Sequence, residues 1–519
     1  MAEIGVIAAG HELSARAGAD ALRAGGNAVD AALAAMLTAF CCEPLLTGLG
    51  AGGYMLVVPG TGDPVLLDFF VEMPGRGLRP GAVAELVPVE ISFGDAVQVF
   101  NIGPASVGTF GVPAGVAAAS ERFGRLPLAQ LTAPAAELAR SGVPLNQPQA
   151  WIVEILGELV TSTPECARLY APAGELLRAG DVLRQPELAD ALQLLGDHGS
   201  APFYTGAQAA AIADWLAARG GLLTLDDLAA YRVIDRDPVR VEFRGREVLT
   251  NPPPSAGGIL IARALSLLAA DAGPASLGAV VDVMRRTQAA RTTEFLAGLD
   301  EPGFAERFLQ AQLGGGSAGG GSAGGGSAAG DPLGGTTHVA ALDRDGLACS
   351  VTCSNGSSSG VVVPGTGIHL NNMLGEQDLN PLGFHRYPAG RRLPSMMAPT
   401  VVRRAGATEL VLGSAGSNRI RSAILQTILR VVDDGLDAGE AVMAPRVHFE
   451  DGILFTEPGV ALESLDLGPA AHAGFRDLNL FFGGVQAVQR DAGGRFWGGG
   501  DPRRGGAAIV VSDPDDGRP

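Results

Sequence analysis

The sequence predicts a protein of mixed α/β (α+β) class, on three observations. From about residue 110 to 300, apolar residues recur mostly at helical spacing, broken by Pro and Gly. Beyond residue 335, short apolar runs are separated by turn residues, the pattern of strands. Between the two parts, residues 314–330 read GGGSAGGGSAGGGSAAG, three near-perfect five-residue repeats with no side chains to build a core. That run is expected to be a flexible tether reaching about 20–25 Å. It joins a helix-rich first part to a strand-rich second part.

Residues 12–24 carry helical spacing and stop at Gly25-Gly26-Asn27, a good helix terminator. Val29, Ala32, Leu33, Met36, Leu37 and Phe40 then fall at i, i+3, i+4, i+7, i+8 and i+11, one apolar helix face. A glycine turn at 48–53 precedes a buried strand, Tyr54-Met55-Leu56-Val57-Val58. Residues 285–299 close the helical region. After the tether, 336–342 reads as a strand, Asp343-Arg344-Asp345-Gly346 as a turn and 347–354 as a second strand. Cys349, Val351 and Cys353 share one face of that second strand. Residues 409–412 and 507–511 are further short strands, and 420–434 is a helix.

Composition removes whole classes of chemistry. Over 519 residues the charge is 37 − 55 = −18, and all 37 cations are arginine. Without lysine there is no Schiff base to a carbonyl and no lysine-dependent phosphate loop. The acidic balance speaks against nucleic acid as partner. Five cysteines without paired spacing, and seven histidines without an HExxH motif, give no disulfide framework and no metal site. No cofactor is expected. No stretch approaches the roughly 20 apolar residues of a membrane span, so no membrane partner is expected. The first residues lack a basic region and a long apolar run, which reads as a cytoplasmic protein, or as a periplasmic or secreted one if a signal was removed.

Two motif matches are discounted by their surroundings. Gly48-x-Gly50-x-x-Gly53 has the letters of a dinucleotide fingerprint, but a helix precedes it and a strand follows, the reverse of what that site needs. Close backbone packing is the better reading. Gly356-Ser357-Ser358-Ser359-Gly360 matches a nucleophile elbow, but Val361-Val362-Val363-Pro364 is a poor helix start.

The junction Gly334-Gly335-Thr336-Thr337-His338 stands where the tether meets a strand. A threonine hydroxyl becomes a competent nucleophile when its own free α-amine, of pKa about 7.7–8.0, serves as base. That requires the chain to be cut before the threonine. By itself the junction favours an ordinary Thr-Thr strand start over a nucleophile.

Read with its surroundings, the junction resembles the γ-glutamyltransferase (γ-glutamyl transpeptidase) family of N-terminal nucleophile (Ntn) hydrolases. The resemblance spans nearly the whole chain. It rests on Gly25-Gly26-Asn27-Ala28-Val29-Asp30-Ala31-Ala32, the glycines of 48–53, and Asn251-Pro252-Pro253-Pro254-Ser255-Ala256-Gly257-Gly258. Thr336-Thr337-His338, Asn371-Asn372-Met373, Ser395-Met396-Met397-Ala398-Pro399-Thr400, Gly413-Ser414-Ala415-Gly416-Ser417-Asn418-Arg419-Ile420 and Asp501-Pro502-Arg503 follow in the family's order.

The resemblance implies an αββα sandwich in one intertwined domain, and a precursor that cuts itself between Gly335 and Thr336. The products would be a large subunit, residues 1–335, and a small one, 336–519, of 519 − 335 = 184 residues. Thr336 would attack an amide carbonyl of a small-molecule or γ-glutamyl substrate, and water or an amine would take the acyl group. Ser354 matches a hydroxyl that orients the nucleophile, where the family often has threonine. Gly416 and Ser417 match the oxyanion turn.

The implied substrate pocket departs from the family. An arginine that holds a glutamyl carboxylate is expected in a short Asp-Phe-Arg-Glu-Met stretch. Here it reads Asp68-Phe69-Phe70-Val71-Glu72-Met73, with Phe70 and Val71 in its place and Arg76 nearby. A bidentate guanidinium–carboxylate contact has no apolar substitute. Gly356 and Met373 replace an asparagine and a glutamine, and Met396 replaces the second of two serines. Asn372, Glu376 and Ser395 are kept. The alternatives are therefore an acylase of cephalosporin-acylase type acting on a less polar acyl group, and an uncut, non-catalytic binding homologue.

Overall fold

The computed structural model describes residues 2–78, 84–92, 97–311, 335–462 and 470–513; the 314–330 tether lies outside them. The chain opens with a strand that sequence reading missed, β1 (Glu3–Ala9). Six of its seven residues are buried, so no inside–outside alternation marks it. The helix α1 (Glu12–Arg23) is capped by the His11 side chain, which accepts from the Leu13 N–H. In α2 (Ala28–Cys42), Asn27 and Asp30 form a reciprocal capping box, so the terminator of one helix is the starter of the next. The single apolar face expected for α2 is corrected: all fifteen residues are buried, because small alanines on the remaining sides let neighbours close over it.

The strands that follow build two sheets. They are β2 (Gly52–Val58), β3 (Val65–Phe69), β4 (Ile234–Arg236), β5 (Val239–Phe243), β6 (Arg246–Thr250), β7 (Thr336–Asp343), β8 (Ala348–Ser354), β9 (Thr400–Arg404), β10 (Ala407–Ala415), β11 (Gly484–Arg490), β12 (Phe496–Gly500) and β13 (Ala507–Ser512). The first sheet runs β13-β1-β7-β8-β2-β3-β4 and the second β12-β11-β10-β9-β6-β5. Every neighbouring pair in both is antiparallel. The first sheet thus mixes strands from before and after residue 335.

Side-chain alternation along β7 sorts the layers. Ala340 and Leu342 face the second sheet, in one apolar cluster with Leu410, Leu412 and Ala487. Val339 and Ala341 face outward, in another with α1, α2, α3 (Val112–Phe123) and α4 (Leu128–Ser141). Cys349, Val351 and Cys353 of β8 share that outer face, as their spacing predicts. On the far side, α5 (Ala256–Leu268), α6 (Leu277–Ala289) and α7 (Ile420–Val432) cover the second sheet. The result is a four-layer αββα sandwich.

Candidate active site

Antiparallel register places Thr336 opposite Ser354, and Ser354 opposite Gly52. This row lies at one end of the first sheet. The Thr336 hydroxyl donates to Ser354 Oγ at 3.2 Å. Ser354 Oγ in turn donates to the carbonyl oxygen of Gly335 and accepts the Gly356 N–H at 3.1 Å. One hydroxyl therefore touches both sides of the Gly335–Thr336 peptide. Thr336 and Ser354 are only 5% and 6% exposed, so little water competes for these contacts.

Gly335 is a glycine for a steric reason. A Cβ there would strike the carbonyl oxygens of Gly356 and Leu45, the latter at 2.8 Å. Likewise, a Cβ at Gly50 would meet the His369 backbone, one at Gly52 would meet Val71 and one at Gly53 the Thr352 carbonyl, so close packing is the purpose of Gly50, Gly52 and Gly53. None of Gly48, Gly50, Gly52 or Gly53 needs a left-handed backbone.

The 354–359 loop is zipped to the 369–376 segment through its serines. Ser357 donates from its N–H to Asn372 Oδ1 at 2.8 Å, and from N–H and Oγ to Glu376 Oε1 at 3.0 and 2.9 Å. Ser358, at φ +76°, meets His369, and Ser359 Oγ donates to the Leu370 carbonyl at 2.7 Å. Burial pushes the Glu376 carboxyl up, and the Ser357 donations pull against it. Ser357 is a site residue that sequence reading missed; its signal was present in the GSSSG run rejected as an elbow.

The expected oxyanion turn follows β10. Gly416 sits at φ +120° and Ser417 at φ +49°, so the serine occupies a left-handed backbone that a glycine would adopt more easily. The turn runs directly into α7, whose N-terminal partial positive charge faces it. Ser417 Oγ and Asn418 Nδ2 donate to Asp378 Oδ2 at 3.3 and 3.4 Å. Asp378 was not foreseen, and Asn418 was read only as part of the 413–420 motif, because nothing local links the two.

Behind the nucleophile strand, the Thr337 hydroxyl donates to the fully buried Glu43 carboxylate at 3.1 Å. Burial pushes this carboxyl up to about 7, against the lowering effects of the Thr337 hydroxyl and the Arg504 charge. Arg504 also stands beside Gly416. His338, bonded to Thr352 Oγ1 at 2.8 Å, is pushed down to about 3 by burial and stays neutral.

Phe70 and Val71 lie beside Gly52, while Ser395 and Met396 lie at the start of α5 against Ala256 and Gly257. The Leu393 N–H donates to the Val71 carbonyl at 3.0 Å, so the two segments run together. Phe70 stacks on Tyr54 with centroids 5.3 Å apart. Ser395 Oγ accepts the Met397 N–H at 3.0 Å, and the Ser395 carbonyl accepts the Ala256 N–H at the start of α5 at 2.8 Å. Phe70 and Val71 are at most 1% exposed, and Met396 is buried. Arg76 is tied to Glu72 at 3.3 Å and to Asp227 at 3.5 Å. Arg392, also buried, pairs with Glu72 at 3.1 Å and Asp68 at 3.3 Å. Both guanidinium groups therefore strap the 68–76 segment in place.

The sequence model of the family described as Gamma-glutamyltranspeptidase matches residues 14–511. The chain belongs to the γ-glutamyltranspeptidase family. Among its γ-glutamyltranspeptidase-family relatives, the glutathione hydrolase proenzyme of Escherichia coli (strain K12) is 31% identical, the match covering 97% of this chain and 91% of that one. The Acylase ACY 1 proenzyme of Pseudomonas sp. (strain SE83) is 30% identical over 98% and 94% of the two chains. Among solved structures, a cephalosporin acylase from Bacillus halodurans superposes with a TM-score of 0.81 at 25% identity, over 98% of this chain and 96% of that one. The αββα Ntn-hydrolase fold expected from the sequence is therefore the fold observed.

Proposed function

We propose that this enzyme is made as a precursor, cuts itself between Gly335 and Thr336, and then uses Thr336 to transfer or hydrolyse an acyl group held in amide linkage. The observation that carries the reading is the hydrogen-bond chain Thr336 Oγ1–H to Ser354 Oγ–H to Gly335 carbonyl. As Thr336 Oγ1 bonds to the Gly335 carbon, its proton has a path through Ser354 to the carbonyl oxygen. Collapse breaks the C–N bond, leaving an ester on Thr336 Oγ1 and a free α-amine. Water then releases the Gly335 carboxylate. The α-amine can now take the Thr336 proton during attack on a substrate amide, and in a chain without lysine it is the leading candidate for that base. The acyl-enzyme passes its acyl group to water or an amine. The proenzyme names of the relatives support the cut. Gly416 and Ser417 would receive the developing oxyanion. Since the first sheet interleaves both pieces, the 335- and 184-residue products would stay together as a heterodimer.

Two results test this. Purified protein should give two bands on a denaturing gel, with Thr336 at the N-terminus of the smaller by mass; one band near 52.7 kDa favours the uncut binding homologue. Thr336→Ala should stay whole and inactive.

For the acyl donor, the observations favour a less polar group over γ-glutamyl. Phe70 and Val71 are buried apolar residues, and Arg76 is occupied by Glu72 and Asp227. The acylase relative and the cephalosporin acylase structure support this reading. Weak turnover of γ-glutamyl-p-nitroanilide beside strong turnover of hexanoyl-p-nitroanilide is the expected outcome.

A further inference from the structure

Asn418, next to the Gly416–Ser417 turn, is held from two directions by the end of α6. Arg291, just past α6, donates from Nη1 to Asn418 Oδ1 at 3.0 Å. Gln288, on α6, accepts from Arg421 Nη2 at 2.5 Å, and Arg421 Nε donates to the Asn418 carbonyl at 3.2 Å. The other side of the Asn418 amide donates to Asp378, which also takes the Ser417 hydroxyl. The Asn418 side chain thus links a guanidinium in the first part of the chain to a carboxylate in the second. The Arg291 Nε is buried and has no hydrogen-bond partner among the described residues; Nη1 is bonded to Asn418, and the charge of the group also acts on Asp451.

Ser417 gives this arrangement a purpose. An L-residue at φ +49° persists where its surroundings over-determine it. Asp378 holds Ser417 itself, and the bonds of Arg291, Asp378 and Arg421 converge on Asn418, the next residue. An oxyanion donor works only if its N–H is aimed before charge develops, since reorientation during reaction forfeits the gain.

We propose that Arg291 is a positioning residue for the acyl-transfer reaction: acting through Asn418 and Asp378, its guanidinium fixes the Gly416–Ser417 turn in the conformation that receives the oxyanion. This rests on the reading of 416–417 as the oxyanion turn. It follows that the part of the chain before the cut completes the catalytic machinery of the part after it.

The test uses the processed enzyme with hexanoyl-p-nitroanilide as probe. Arg291→Ala should lower kcat at least about tenfold with KM within about twofold, the signature of an interaction felt in the transition state. Asn418→Ala should cause a similar loss, and adding Arg291→Ala to it should cost little more, because both interrupt one chain of contacts. Unchanged kcat, a rise in KM alone, or losses that multiply in the double variant would each overturn the proposal. If Arg291→Ala does not fold, the same cycle with Arg291→Lys decides by the same non-additivity. A wild type that neither cuts nor turns over the anilide sinks the underlying reading. A wild type that does both, beside an Arg291→Ala enzyme of full kcat, sinks only the role of Arg291.

Discussion

Replacing Ser354 by alanine removes one oxygen and three contacts. Lost are the donation to the Gly335 carbonyl, the acceptance from Thr336 at 3.2 Å and the acceptance of the Gly356 N–H at 3.1 Å. The first two act on self-cleavage. Loss of a donor at a developing oxyanion costs about 2.7–4 kcal/mol of barrier, or about 10²–10³ in rate. The relay of the Thr336 proton is lost at the same time, so the upper end of that range is expected. The third contact bears on stability, since a buried N–H left unpaired costs about 1–3 kcal/mol. Freshly purified precursor should be followed on a denaturing gel as the 335- and 184-residue pieces appear. Ser354→Ala should cut about a thousandfold more slowly than wild type. Ser354→Thr keeps the hydroxyl and should stay within about tenfold, a loss of under about 1.4 kcal/mol. A Ser354→Ala protein that cuts at the wild-type rate would refute the reasoning, because no other side-chain hydroxyl is bonded to the Gly335 carbonyl among the described contacts.

Three further outcomes are expected. Gly335→Ala should block or strongly slow the cut in otherwise folded protein, because its Cβ collides with two backbone carbonyl oxygens; normal cleavage would show that the junction relaxes freely. For Glu43, the folded carboxyl at about 7 lies above its ordinary 4.5, so the folded state retains a proton the unfolded chain has lost between those values. Its contribution is full below about pH 4.5 and is lost as pH rises through about 7, a change of roughly 3 kcal/mol. Melting of Glu43→Gln should therefore show a flatter decline than wild type across that window, and parallel profiles would place the charge elsewhere. Arg76→Ala should lower stability by about 1–2 kcal/mol, less than for a fully buried pair because Arg76 is 29% exposed, and should leave the donor preference unchanged. Loss of γ-glutamyl-p-nitroanilide turnover at unchanged melting temperature would instead assign Arg76 to the donor carboxylate.

The nucleophile side of the site was legible because its parts are close in sequence. Thr336 and Ser354 belong to one hairpin, and the turn Asp343-Arg344-Asp345-Gly346 sets their register. The same holds for Gly416 and Ser417, consecutive at a strand-to-helix turn. The supports were not legible. Glu43 meets Thr337 across 294 residues, and Arg291 meets Asn418 across 127. In each case a polar side chain gains its meaning from a partner that no local spacing announces.

By itself the sequence determined the class of chemistry. The absence of lysine, a Gly-Gly-Thr-Thr junction after a run unable to form a core, and ordered motifs along the chain point to a threonine whose base is its own amine. Turn chemistry and periodicity also set the β7–β8 hairpin, since both act over a few residues. Only the tertiary structure decided that β1 joins the first sheet between β13 and β7, pairing residues more than 300 positions apart. It also decided that Arg76 pairs with Glu72 and Asp227. Burial in the low-dielectric interior, which sets whether a carboxylate, a guanidinium or a histidine carries charge, depends on everything packed around it. That is a property of the assembled layers and is carried by no single segment of chain.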